Sequence, residues 1–210
     1  MLMFMTARAP GKREQNTAET RAKIIAAARS RFARQGFAAT TTRQIAADAG
    51  IAHGTLFRYA PTREDLVQLL FDDSIGAAFA DILEAWPRLG RLGSFTDVAM
   101  HCYARFIDVY AADVDLARVL VKELPFLQGD SGERQHESTG RLLQLLLEDL
   151  AVRQADGDIA ADVVPFVVAT ASFALYYGAL LALVTGQLSK EAALLMLRGS
   201  HQLLEKGSST

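Results

Sequence analysis

Between Gly50 and Arg63 the chain gathers side chains suited to reading a polyanion. His53, Thr55 and Arg58 can exchange hydrogen bonds with base edges, and Gly54 lets a backbone approach one closely. Leu56 is spaced to face the other way, so a short helix from His53 would present polar groups and keep an apolar anchor behind. Upstream, Thr41, Thr42 and Arg43 offer hydroxyls and a guanidinium, groups that hold phosphate oxygens. Catalytic and metal-binding patterns find no footing. There is no HExxH, P-loop, GxSxG or paired-cysteine spacing, and only four histidines occur in 210 residues. The expectation is a binding protein, not an enzyme, with no metal and no cofactor.

Charge agrees with that expectation. The net charge of −2 divides into +6 over residues 1–66 and −8 over the remainder. A basic front on an acidic body places the polyanion at the front. Half the residues are hydrophobic and only five are proline, which supports a folded core. The single cysteine, Cys102, excludes an internal disulfide framework and suits a reducing cytoplasm. The opening Met1–Met5 is too short for a secretory apolar region, and its basic residues follow it. Cytoplasmic localisation is expected.

The elements that would position these residues are helices. No sustained two-residue alternation occurs, while helical spacing and caps recur, so the fold class is all-α. Residues 1–15 read as a flexible basic arm, 16–61 as a three-helix DNA-binding domain, and 62–210 as a larger helical domain. Asn16 with Glu19 suggests a capping box for the first helix, and Gly36 its end. Ile25, Ala28 and Phe32 share one face of it; Arg21, Arg29, Arg31 and Arg34 read as solvated. Thr41 with Gln44 opens a two-turn helix that Gly50 ends, and 53–59 form another. Such short helices need packing, here through Ile45, Ala46, Ala49, Ile51 and Leu56. Thr62, followed by Glu64 and Asp65, caps a long helix to about Trp86-Pro87. Further helices are expected near 94–110, 114–128, 132–155, 161–186 and 189–206. Pro125 should kink or end its helix, and Gly129 to Gly132 and Asp156 to Asp158 read as loops.

Two short helices behind a longer one form a helix-turn-helix unit. Here the stretch from Ile24 to Leu66 resembles the N-terminal domain of the TetR/AcrR family of regulators. The landmarks are Ile24-Ile25, Ala27-Ala28, Phe32, Gly36-Phe37, Thr40-Thr41, Ile45-Ala46, Ala49-Gly50-Ile51, Gly54-Thr55-Leu56-Phe57, Tyr59 and Arg63-Glu64-Asp65-Leu66. The resemblance implies that His53, Gly54 and Phe57 read bases. It implies that Thr42, Arg43, Thr55, Tyr59 and Arg63 meet phosphates or neighbouring bases, with Thr41 and Arg58 beside them. Three positions depart from the family pattern: Ala52 at the recognition-helix N-cap, Phe57 for the common Tyr, and Ala60 for the common Phe. The family implies a homodimer that represses from a palindromic double-stranded DNA operator and is released by a small molecule.

In the body, no charge occurs from Val163 to Ser189, a length that could span a bilayer. Pro165 suits a helix start, and Ala174, Gly178, Ala182 and Gly186 form a row of small residues into which another helix can settle. With Leu194 and Leu197 on the following helix, this row resembles the family's dimer interface. Candidate pocket residues for an apolar or aromatic effector are Phe79, Trp86, Met100, Tyr103, Phe106, Tyr110, Phe126, Phe173 and Tyr177. His101, Cys102, Arg105 and Lys122 are candidate polar handles. The alternatives are control by a partner protein and a membrane tether through 163–189.

Overall fold

A computed structural model describes residues 11–126 and 129–208, with the side chains of 90–92 and 129–131 also left aside. The described residues hold nine α-helices, one short 3-10 turn and no strand. The chain divides into two compact units between Leu70 and Phe71.

The first unit, the head, is built on α1 (Lys12–Gln35), α2 (Thr42–Asp48), α3 (His53–Phe57) and the opening turns of α4 (Arg63–Leu92). Residues 12–15 of the expected arm are therefore helical, and residues 1–10 lie outside the described residues. Gly11, not Asn16, is the N-cap: the Glu14 carboxylate accepts from the Gly11 N–H at 2.8 Å. Gly36 closes α1 at φ +76°, and Thr41 with Gln44 forms the capping box of α2. Ile24, Ala28, Phe32, Ile45 and Leu56 make the core, with Ile24 rather than Ile25 fully buried. Arg31 and Arg34 both pair with Asp48 on α2 and tie α2 to α1, Arg31 largely covered and Arg34 still 62% exposed. The Asp48 carboxyl sits below its ordinary range for that reason, chiefly through its hydrogen bond from Arg31.

The division falls two turns into α4, later than the sequence boundary at residue 62. Thr62 and Asp65 cap α4 reciprocally, with Asp65 N–H to Thr62 Oγ1 at 3.0 Å and Thr62 N–H to Asp65 at 3.0 Å. Arg63 is fastened to the head as described below, so the first turns belong to it.

The second unit, the body, contains the rest of α4, then α5 (Phe95–Ala111), α6 (Val114–Glu123), a 3-10 turn (Leu124–Phe126), α7 (Gly129–Asp156), α8 (Pro165–Val184) and α9 (Lys190–Ser208). α4 continues through Pro87 to Leu92; one proline removes one donor, and the flanking turns hold the helix. α6 ends at Glu123 because Pro125 cannot continue it. α7 already starts at Gly129, so the expected 129–132 loop is helix. α8 begins at Pro165, four residues later than expected, and ends at Val184, with Gly186 at φ +76° beyond its end. α8 packs against α5, α6, α7 and α9.

Polar ties between these helices are specific. The Glu205 carboxylate caps α5, accepting from the Phe95 N–H at 2.8 Å and the Thr96 hydroxyl at 2.6 Å. Arg118 donates to the Val184 carbonyl at the end of α8 at 2.7 Å. Arg153 holds buried Asp149 at 2.6 Å and the Gly93 carbonyl at 2.7 Å.

Candidate functional site

In the head, the turn from α2 to α3 depends on Gly50, whose φ of +65° lies in the left-handed region that other residues enter at a cost. The turn is closed by the Ile51 N–H bonding to the Ala46 carbonyl at 3.0 Å. α3 then buries Leu56 completely and leaves His53, Gly54, Phe57 and Arg58 exposed. Phe57 is 55% exposed, so it is not a core aromatic but an apolar group offered to solvent beside polar ones. Thr41 and Arg43 are exposed and Thr42 half-buried. The Thr42 hydroxyl lies 3.0 Å from His53 Nε2, which joins the first residues of α2 and α3 into one face. Ala52 supplies no side-chain cap to α3, and Ala60 is fully buried where a larger ring would have packed.

Two of the implied phosphate holders are engaged within the head. The Tyr59 hydroxyl donates to the Thr17 carbonyl at 3.3 Å. Arg63 Nη1 donates to the carbonyls of Phe37, Ala38 and Thr40 at 3.4, 3.1 and 3.3 Å, and its guanidinium lies 4.8 Å from the Phe37 ring centre. Arg63 thus closes the α1–α2 turn with a charge-assisted bond network. The sequence spacing alone could not show this.

In the body, α4 to α8 surround a cavity of about 350 Å³. Phe79, Phe106, Tyr110, Phe173 and Tyr177, all named from sequence, meet there. Trp86, Met100, Tyr103 and Phe126 do not line it. Tyr103 is fully buried in a polar chain, its hydroxyl 3.0 Å from Ser172 Oγ, and Phe126 is 76% exposed beyond the end of α6. Tyr176 completes the aromatic wall and stacks on Tyr103 at 4.6 Å between ring centres. The polar wall comes from α7, through Gln135, His136, Ser138 and Thr139. None of these was expected, although Gln135 and Thr139 share a helical stripe with Leu142, a legible sign of a wet patch on an otherwise apolar face. His101, Cys102, Arg105 and Lys122 also lie outside the cavity. Burial pushes the Cys102 thiol up to about 12, which makes it an inert core group.

The small-residue row shows a mixed placement. Ala174 and Gly178 are exposed on α8, on one stripe with Val167 and Leu181, which are 61% and 47% exposed. Ala182 is half-buried, and Gly186 belongs to the turn after α8. On α9, Leu194 is half-buried, while Leu197 is fully buried within the chain and offers no surface to a second copy. Met196 and Leu203 stand exposed instead.

Residues 24–70 match the sequence profile described as bacterial regulatory proteins, tetR family. Over these residues the chain is similar to regulators of that family. The matched residues hold the helix-turn-helix head, and for the body the likeness to solved structures is one of fold. FadR from Bacillus halodurans, a fatty acid degradation regulator, is 23% identical, with 89% of this chain and 98% of that one covered and a TM-score of 0.64. FadR of Thermus thermophilus, a TetR-family transcriptional repressor solved with lauroyl-CoA, is 23% identical over 89% and 94%, with a TM-score of 0.66. FadR of Bacillus subtilis, solved with stearoyl-CoA, is 21% identical over 89% and 98%, with a TM-score of 0.67. No curated protein matches the chain.

Proposed function

We propose that this protein is a cytoplasmic, homodimeric repressor of the tetR family that binds a palindromic DNA operator and is released by a small apolar or aromatic molecule held in the body cavity. The observation that carries the reading is the exposed face of α3, where an anchor residue is buried and His53, Gly54, Phe57 and Arg58 are presented together. His53 suits a base-edge hydrogen bond, Phe57 a thymine methyl, and Arg43 a phosphate. Two copies placed by a dimer axis would set these faces one DNA turn apart, about 34–36 Å.

The apolar stripe of α8, with Met196 and Leu203 of α9, is the surface offered to the second copy. α8 is long and apolar enough to cross a membrane, at a mean hydropathy of 2.0. Its buried side, however, packs on four helices of its own unit, and its Ser172 is fully buried in a hydrogen-bonded chain. A dimer face accounts for the remaining apolar surface better than lipid. The two FadR relatives solved with acyl-CoA support a ligand-responsive body, and the effector-sized cavity favours that over control by a partner protein. For release, the effector must favour a conformer with wrongly spaced heads, and DNA must weaken effector binding by the same factor.

The test is selection of binding sites from a random duplex library at moderate salt. Enrichment of an inverted repeat supports the reading; recovery of no preferred sequence over competitor DNA refutes it.

A further inference from the structure

The cavity distinguishes among ligands by what its walls contain and what they lack. Among the described residues its lining includes no lysine, arginine, aspartate or glutamate, and His136, whose Nδ1 lies 2.7 Å from the Gly132 carbonyl, is the one basic side chain there. Arg141 lies over the Phe79 ring at 5.8 Å but does not line the cavity. A carboxylate or phosphate placed inside would therefore lose its hydration with no lysine or arginine to pair it and His136 alone to answer its charge, a cost that disfavours it.

The tyrosines supply the second observation. Tyr177 gives its hydroxyl proton to the Val121 carbonyl at 3.2 Å, and Tyr103 is partnered with Ser172. Tyr110 and Tyr176 are 4% and 5% exposed, yet among the described residues neither hydroxyl has a hydrogen-bond partner. Both residues line the cavity. Burial holds both phenols well above their ordinary range, so they stay protonated and act as donors. Two buried O–H groups with no acceptor each carry a desolvation cost that an acceptor would relieve.

We infer that the cavity takes an uncharged aromatic molecule bearing a carbonyl-type oxygen, which accepts from Tyr110 and Tyr176 while its ring packs among Phe79, Phe106 and Phe173. The inference rests on the reading of the body as an effector-binding unit, and it narrows the effector to neutral acceptors. Acids and acyl-CoA thioesters, whose charged parts would meet no lysine or arginine in the lining, are disfavoured from lying wholly within it.

Three probes of one shape separate the terms: 2-acetylnaphthalene (neutral acceptor), 2-ethylnaphthalene (no acceptor) and 2-naphthoate (anion). Binding to the full-length protein is followed by calorimetry without DNA, so the outcome is independent of whether an operator is ever found. The ketone should bind about three- to tenfold more tightly than the hydrocarbon, the range of one net hydrogen bond, and naphthoate more weakly than either. Tyr110→Phe with Tyr176→Phe keeps both rings and should erase the preference for ketone over hydrocarbon while leaving hydrocarbon binding in place. Far-ultraviolet circular dichroism checks that the double variant is folded. If it is not, each single variant should still reduce the preference. Equal binding of ketone and hydrocarbon, tighter binding of naphthoate or of lauroyl-CoA, a preference that survives both substitutions, or no binding of any probe (a cavity that holds water alone) would each overturn the assignment.

Discussion

Replacing Ser172 by alanine tests the polar chain that locks α5, α8 and α9 together. The Tyr103 hydroxyl lies 3.0 Å from Ser172 Oγ, Ser172 Oγ lies 2.8 Å from His201 Nε2, and His201 Nδ1 lies 2.8 Å from the Leu197 carbonyl. A carbonyl can only accept, so Nδ1 carries the proton and Nε2 the lone pair. Ser172 must then donate to Nε2 and accept from Tyr103, which fixes every proton in the chain. All three side chains are fully buried. Ser172→Ala leaves the Tyr103 donor and the His201 acceptor both unmet, at about 1–3 kcal/mol each. The total of roughly 2–6 kcal/mol corresponds to a drop of roughly 4–24 °C in Tm for a chain of this size. Equilibrium urea unfolding at fixed protein concentration measures it, with m unchanged. A loss below about 0.5 kcal/mol, within the range of an ordinary surface substitution, would refute the reasoning.

The same chain predicts a pH dependence. Burial lowers the His201 pKa below its ordinary value, so the folded protein resists the proton that the unfolded chain accepts near pH 6.5. The stability this group contributes is complete above about pH 6.5 and is lost as pH falls below it towards the depressed folded value. His101, whose pKa burial also lowers, acts in the same sense. His201→Gln should therefore flatten, but not abolish, the fall of stability with acid below pH 6.5. An unchanged slope would show that His201 does not titrate differently on folding.

Three further outcomes are expected. Arg43→Ala should weaken binding to every duplex and reduce the slope of log K against log salt by about 0.9, the value for one phosphate; an unchanged slope in a salt titration removes Arg43 from the backbone contacts. Arg63→Ala should destabilise the head by about 1–3 kcal/mol, because three turn carbonyls lose their donor, and a melting curve identical to the parent's would show that Arg63 serves DNA alone. Leu203→Glu, at a position 72% exposed in the single chain, should convert a dimer to a monomer in sedimentation while leaving the circular dichroism intact, and an unchanged mass would move the interface elsewhere.

The head was legible because its signals are local. Thr41 and Gln44 stand three apart and cap each other, and Gly50 supplies a φ that few other residues accept; both can be read without knowing what packs where. Local reading failed where two local answers compete. Asn16 with Glu19 fits a helix start as well as Gly11 with Glu14 does, and the helix takes the earlier one, where the Glu14 carboxylate meets the Gly11 N–H. It failed also where a partner is distant: Asp48 claims Arg31 from 17 residues away, and spacing along α1 says only that an arginine points outward.

The body shows why a pocket is harder to read than a helix. Tyr103, Tyr110, Tyr176 and Tyr177 are one residue type on two helices, and the sequence does not tell their hydroxyls apart. What separates them is the partner of a single oxygen. Tyr103 meets Ser172 from 69 residues away and Tyr177 meets Val121 from 56, so both become structural ties. Tyr110 and Tyr176 meet only the cavity. A hydroxyl that the fold has satisfied costs stability when removed, whereas one that the fold has left open costs affinity for whatever accepts from it. Removing the Tyr103 hydroxyl and the Tyr176 hydroxyl by the same Tyr→Phe change should therefore give opposite results, the first lowering Tm with ketone binding kept, the second lowering ketone binding with Tm kept. If both changes act on Tm alone, all four tyrosines are packing and the cavity is an accident of the helix arrangement.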